Sequence, residues 1–273
     1  MAEVVEFDRF DDLMRLEPHG PDVFVGVSPT YDWGRVYGGQ VVAQALKAAV
    51  ATVEPEFRPH SLHGYFIRGG TSKEPIRFEV DRIRNGRSFI TRRVVARQSN
   101  GAIFNLSASF HIEEGDLDIE PRVLPPGLVG PDELPEEQVN KLMLRREIPP
   151  ETIGGRTGVW IKVLGTPSGE QAASQITLSY ASDSVPFRAA ASVRPDRTPE
   201  NAHDGTFLGA SLDHSLWFHR HGPADEWQLH LLEPMTYNGN RGLAFGAVFD
   251  TDGVHLASVA QEIVLRKNRK KTK

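Results

Sequence analysis

The sequence predicts an α+β protein made of two similar units, each a single helix followed by an antiparallel meander of strands. Three observations predict it. Residues 40–53 have the apolar spacing of a buried helix, four strand-like runs with hairpin signals follow at once, and the same order of elements recurs in the second half. Two such copies can pair edge to edge and place their helices on one side.

The first element is a half-buried strand at Asp22 to Ser28 (DVFVGVS), where apolar and polar residues alternate. The helix follows Gly38-Gly39. From Gln40 to Val53 it places Val42, Ala45, Leu46, Ala49 and Val53 at three- and four-residue spacing, and Pro55 stops it. Four strands come next, SLHGYFIR, PIRFEVDRIR, SFITRRVVARQ and AIFNLSASFH, between Ser61 and His111. Asn85-Gly86 and Asn100-Gly101 mark hairpins between them.

Residues Glu113 to Glu137 hold five prolines among acidic residues, as expected of a connection running over the surface. The chain therefore divides into a first unit at 1–115, a linker at 116–140 and a second unit at 141–273 with a basic tail. A short helix is expected at PEEQVNKLMLRRE, then the strand VWIKVLG, the segment Glu170 to Asp183, and the runs SLDHSLWFHR, EWQLHLL, GLAFGAVFD and VHLASVAQEIVLR. Tyr65-Phe66-Ile67-Arg68 matches Trp217-Phe218-His219-Arg220 at an offset of 152, and Asn100-Gly101 matches Asp252-Gly253 at the same offset. That shared register sets Ser109 against Gln261 and makes duplication the better reading.

Composition removes whole classes of function. The 273 residues include no cysteine, which excludes disulfides, thiolate metal sites and a cysteine nucleophile. No apolar run approaches the ~20 residues of a membrane helix, and the acidic start Met1 to Asp8 lacks the charge pattern of a secretory signal. A cytoplasmic location is expected. Net charge is −5 although Arg266, Lys267, Arg269, Lys270, Lys271 and Lys273 crowd the C-terminus, so the body is more acidic still and nucleic acid is not an expected partner.

Several familiar chemistries fail on inspection. Ser211 lies in Gly209-Ala210-Ser211-Leu212-Asp213, and a nucleophile elbow needs glycine where Asp213 stands. No phosphate-binding glycine fingerprint follows a strand, and His214, His219 and His221 lack metal-site spacing and read as packing or hydrogen-bonding residues. Arg82, Arg84, Arg87, Arg92, Arg93 and Arg97 cluster on one hairpin, where Arg92 and Arg93 either hold phosphates or cover the solvent face of a sheet.

Three words carry a resemblance to a known family. They are Val36 to Leu46 (VYGGQVVAQAL), His60 to Arg68 (HSLHGYFIR) and Leu212 to Arg220 (LDHSLWFHR), and with them the chain closely resembles type II, TesB-like acyl-CoA thioesterases. The resemblance implies a double hotdog, in which a long helix in each half is wrapped by an antiparallel sheet and the two sheets join. It implies an acyl-CoA substrate, no cofactor and no metal, and a homo-oligomer, dimer or tetramer, through exposed sheet edges. It also assigns the reaction to Asp183 of Tyr180-Ala181-Ser182-Asp183, to Ser211, where the family commonly has threonine, and to Gln261 of Ala260-Gln261-Glu262.

Those residue types suit the chemistry on their own terms. Water attacking a thioester near neutral pH needs a base, which Asp183 can be, and a hydroxyl and an amide can hold that water. Taken without the family words, Asp183 reads more readily as a solvent or helix-end carboxylate, and only those words reverse the order. Backbone N–H groups where the helix begins, at Gly38, Gly39 and Gln40, are the candidate substrate contacts for the developing oxyanion. An enoyl-CoA hydratase, with a paired Asp and His at a helix mouth, and a non-catalytic acyl-CoA or lipid binder are the alternatives.

Overall fold

The computed structural model describes residues 6–31, 33–166, 169–202 and 204–268. Met1 to Val5, Arg269, Lys270, Lys271 and Lys273 lie outside the described residues, and with them most of the basic tail. The first unit runs α1 (Phe10–Leu13), β1 (Glu17–Pro18), β2 (Val23–Gly26), α2 (Gly38–Val50), β3 (Phe57–Phe66), β4 (Ile76–Asn85), β5 (Phe89–Gln98) and β6 (Gly101–Ile112). The second runs β7 (Glu137–Asn140), β8 (Met143–Ile148), β9 (Thr157–Val163), α3 (Ala173–Ser182), α4 (Pro186–Ala191), β10 (Phe207–Ser211), β11 (Asp213–Phe218), β12 (Gln228–Asn238), β13 (Arg241–Phe249) and β14 (His255–Lys267).

The two meanders join into one antiparallel sheet of 14 strands, in the order β1-β2-β4-β5-β6-β3-β11-β14-β13-β12-β9-β8-β7, with β10 also on β14. The seam is β3 against β11. There His63 stands opposite Ser215, its own counterpart at the offset of 152, and the two side chains touch, His63 Nδ1 to Ser215 Oγ 3.1 Å. A local two-fold axis through this pair relates the halves. Even the irregularities repeat: the β3 ladder breaks between Pro59 and Ser61, and a break at Leu212 separates β10 from β11.

Helix α2 is buried on nearly all sides, because the sheet wraps one face and α3 packs on another. Ala43, Ala45, Ala48 and Ala49 are fully buried, and such small residues let the helices approach closely. Large apolar side chains, Leu46, Leu62, Phe78, Phe104 and Phe110 among them, fill the space beneath the sheet. Truncating one of these to alanine costs roughly 2–5 kcal/mol.

The second half departs from expectation in three places. The expected helix at 135–147 is a hairpin of β7 and β8: Asn140 Oδ1 accepts from Leu142 N at 2.8 Å, a side-chain turn that competes with helix, and Leu142 and Met143 are buried beside β9. The second helix is shorter than α2, and Pro186 starts a separate α4 a few residues on. Finally, the turn between Phe249 and His255 is one residue longer than its counterpart between Arg97 and Ala102, while the ladder irregularity beside it is the same in both halves, so Gln261 corresponds to Ala108, not to Ser109. Both Ala108 and Gln261 point inward, as a two-residue period requires.

Candidate active site

Asp183 caps the C-terminus of α3, directly where the N-terminus of α2 crosses it. The crossing explains Gly38-Gly39. A Cβ at Gly39 would stand 2.3 Å from Tyr180 O, and one at Gly38 would stand 2.5 Å from Asp183 Oδ2. Both positions must be bare for the helices to meet and for the carboxylate to face the start of α2.

Three strands supply the partners. Ser211 ends β10, and its hydroxyl donates to Asp183 Oδ1 at 3.3 Å. Gln261 on β14 donates from Nε2 to Ser211 Oγ at 2.7 Å. His214 on β11 stands opposite Gln261, one step beyond the Ser215–Ala260 pair, with Nδ1 2.5 Å from Gln261 Oε1 and Nε2 2.8 Å from Ser182 Oγ. Asp183, Ser211 and Gln261, 78 residues apart at the extreme (261 − 183), thus meet at one point.

Burial sets their charge. Desolvation pushes Asp183 up to about 7, against the Gln261 amide, the Ser211 hydroxyl and the Gly39 N–H, which hold it down. No guanidinium or ammonium group is bonded to it among the described residues. The same burial drives His214 down to about 4, so its ring is neutral at ordinary pH.

Asp183, Ser211 and Gly38 open on a cleft of about 650 Å³. Val41, Phe66, Phe104, Met143 and Phe187 line it with apolar surface, and Arg35, Arg68 and Arg145 reach the same cleft. An apolar cavity with a few convergent polar groups and a perturbed carboxylate is the usual form of a small-molecule site.

The comparisons with known proteins decide the family. The acyl-CoA thioesterase N-terminal domain matches residues 27–111 and the acyl-CoA thioesterase C-terminal domain matches residues 124–265. The chain belongs to the acyl-CoA thioesterase family. It is 30% identical to acyl-CoA thioesterase 2 of Haemophilus influenzae over 93% of this chain and 96% of that one. It is 31% identical to human acyl-coenzyme A thioesterase 8, over 93% and 88%. Among solved structures, acyl-CoA thioesterase II TesB2 from Mycobacterium marinum superposes with a TM-score of 0.82 at 32% identity, covering 95% of this chain and 99% of that one. A hot dog fold protein from Alicyclobacillus acidocaldarius, 19% identical, superposes at 0.77 and bears on the fold alone. The chain is a TesB-like, type II member with the double hotdog fold.

Within this family member, three residues expected at the substrate stand elsewhere. Gln40 is fully buried and spent on Tyr31, Ser28, Gln44 and Val27 O, behind the helix start rather than in the cleft. Arg92 is 1% exposed and donates to Thr52, Asn85 and the carbonyls of Arg84 and Thr91, so no phosphate can reach it. Its inward parity on β5 had hidden it among outward arginines. Arg93 is exposed but pairs with Asp81 at 2.9 Å and does not line the cleft. Of the helix-start residues, Gly38 lines the cleft and Gly39 turns its N–H to Asp183. His214 and Ser182 were missed as site residues. The one available signal was a histidine in register with the inward Leu216 and Phe218.

Proposed function

We propose that the chain hydrolyses acyl-CoA thioesters to the free carboxylic acid and coenzyme A, through a water activated by Asp183 and held by Ser211 and Gln261. The observation that carries this reading is the buried carboxylate in the cleft, bonded by a hydroxyl that an amide holds in turn. A base near pH 7 suits proton removal from water at neutral pH. The water oxygen attacks the carbonyl carbon as its proton passes to Asp183, and the intermediate then breaks its C–S bond. The proton leaves on the thiol. Gly38, at the first turn of α2, is placed to offer its N–H to the oxyanion. Arg35 and Arg68 replace Arg92 and Arg93 as the candidate phosphate contacts, since Arg145, also in the cleft, is held by both oxygens of Glu137.

Hydration of an enoyl-CoA is less well supported, because His214 is bonded to Gln261 and Ser182 and not to Asp183. The connection between the units lies within 116–140, whose last residues form β7 of the second unit, and the chain acts in the cytoplasm. No described helix is long and apolar enough to cross a membrane. The chain assembles as a dimer or tetramer through the exposed edges of its sheet, as the family resemblance implies.

Incubation with acyl-CoA and enoyl-CoA, with rapid quenching and intact-mass analysis, tests the reaction. Thiol release without loss of the enoyl absorbance and without acylated protein is the expected result. An acyl group trapped on Ser211 would overturn the direct attack of water, and binding without thiol release would overturn hydrolysis.

A further inference from the structure

Ser182, His214, Gln261, Ser211 and Asp183 form one unbroken hydrogen-bonded chain, with successive distances of 2.8, 2.5, 2.7 and 3.3 Å. Only Asp183 and Ser211 of the five line the cleft, with Gln261 directly behind them. His214 and Ser182 are fully buried behind Gln261, and the water mechanism makes no use of them. A buried histidine bonded at both ring nitrogens is costly to build by chance, since each bond needs a partner of the right sense.

The chain has a direction, and His214 is the point where it is chosen. A neutral imidazole donates from one nitrogen and accepts at the other. If Nδ1 carries the proton it donates to Gln261 Oε1, which turns Nε2 of the amide toward Ser211. Ser211 then accepts that bond and has its own proton free for Asp183. If Nε2 carried the proton instead, the amide would turn over and put its oxygen toward Ser211. The hydroxyl would then spend its proton on Gln261, and Asp183 would face a lone pair. The two senses differ by one hydrogen bond to the base and by the sign of the dipole beside it.

We propose that His214 is a positioning residue, which as the Nδ1–H tautomer accepts at Nε2 from Ser182, whose single proton takes this 2.8 Å bond in preference to the 3.2 Å contact with Ser179 O, fixes the orientation of the Gln261 amide, and so keeps a donor on the Asp183 carboxylate. The site is protected from competing charge. His230 lies beside His214 and Tyr37 beside Asp183, and burial leaves both uncharged at working pH. Asp213 and Glu262, neighbours on the same two strands, take the opposite strand parity, where Asp213 accepts from Glu262 N at 2.7 Å.

The proposal rests on Asp183 acting as the base, and it makes the acid limb of the pH–rate profile the decisive readout. Losing a donor raises a carboxylate pKa, so a variant with the chain reversed needs a higher pH to reach half activity. His214→Gln keeps a polar group near the Nε2 position only, and His214→Asn keeps an amide nitrogen near the Nδ1 position. In thiol-release assays across pH, His214→Gln is expected to lower kcat roughly tenfold or more with KM within about threefold. Its acid limb in kcat/KM moves up by about half a pH unit or more, while His214→Asn restores the limb to within about a fifth of a unit. Ser182→Ala, a smaller change that serves if His214→Gln fails to fold, shifts the limb the same way. An unmoved limb in both His214→Gln and Ser182→Ala, or an equal shift in His214→Asn, overturns the proposal. If Asp183→Asn keeps its activity, the assignment of the base fails instead.

Discussion

The two halves share a fold and a register but not a site, and the ladder pairs corresponding positions one by one. In the second half the inward positions carry Ser211, His214 and Gln261; in the first they carry Pro59, Leu62 and Ala108. Helix α3 ends on Asp183, whereas α2 ends on Ala51 and Thr52. The exchange runs the other way at one point. Arg92, opposite Ala108, corresponds to Ala244, opposite Gln261, and its guanidinium fills the space under the end of α2 down to Thr52. One hotdog unit thus keeps a carboxylate beside a cleft, and its twin fills the same place with a bonded cation. The cleft at the corresponding end of the first half is walled by Arg58, Glu113, Glu170 and His221, without apolar depth. Duplication supplies two frames, and only one of them has to hold the reaction.

The sharpest break between the halves lies at Asp183. Asp183→Asn keeps shape and hydrogen bonding but removes the base, and turnover in thiol-release assays is expected to fall roughly a hundredfold or more with acyl-CoA binding nearly intact. Bringing first-half residues into the second half costs less: Gln261→Ala, or Ser211→Ala in the spirit of Pro59, is expected to lower turnover about tenfold. The double variant loses less than the product, because both act on one water.

The same carboxylate should show in stability. Its folded pKa, raised from 3.8 to about 7, means that folding favours the protonated form. That contribution is complete below pH 3.8 and is lost as pH rises toward 7, leaving a buried charge above it. Asp183→Asn removes the penalty, which at about 1.4 kcal/mol per pKa unit is on the order of 4 kcal/mol at pH 8 and half that or less at pH 5. Thermal melts of both proteins at the two pH values should show Asn the more stable, with the gap larger at pH 8. A gap that shrinks with rising pH would mean the carboxylate is not desolvated.

Changes in the first half should separate stability from rate. Arg92→Ala strands the carbonyls of Thr52 and Arg84, and a loss of roughly 2–4 kcal/mol in denaturant melts is expected with turnover changed less than about twofold. Arg93→Glu, on an exposed pair, should leave KM for acyl-CoA unchanged within about twofold, whereas Arg68→Glu in the cleft raises it. The smallest effect is at Ser211→Thr, which keeps the hydroxyl and restricts its rotamer, and should hold or slightly raise the rate.

Much of this was legible in the sequence, for physical reasons. Helix α2 announced itself because its apolar residues recur at three- and four-residue spacing up to the stop at Pro55, and the strands because hairpin residues break a two-residue period. The hairpin of β7 and β8 was not legible, since Glu136, Glu137, Arg145 and Arg146 suit either state and only packing against β9 selects the strand. Asp183, Ser211 and Gln261 were found through family words, not through spacing, and their meeting depends on a sheet that closes over the helix ends. Arg92 misled because its parity, not its charge, decides its role. The register of Gln261 was lost to one extra residue, which no local word betrays.

The claim that the chain holds one working site, with its catalytic side chains all from the second half, is tested most directly by titrating the chain with a non-hydrolysable thioether analogue of acyl-CoA. One equivalent per chain should bind, and Ser211→Phe, which fills the cleft, should abolish it. Two equivalents, or one that survives Ser211→Phe, would contradict the account.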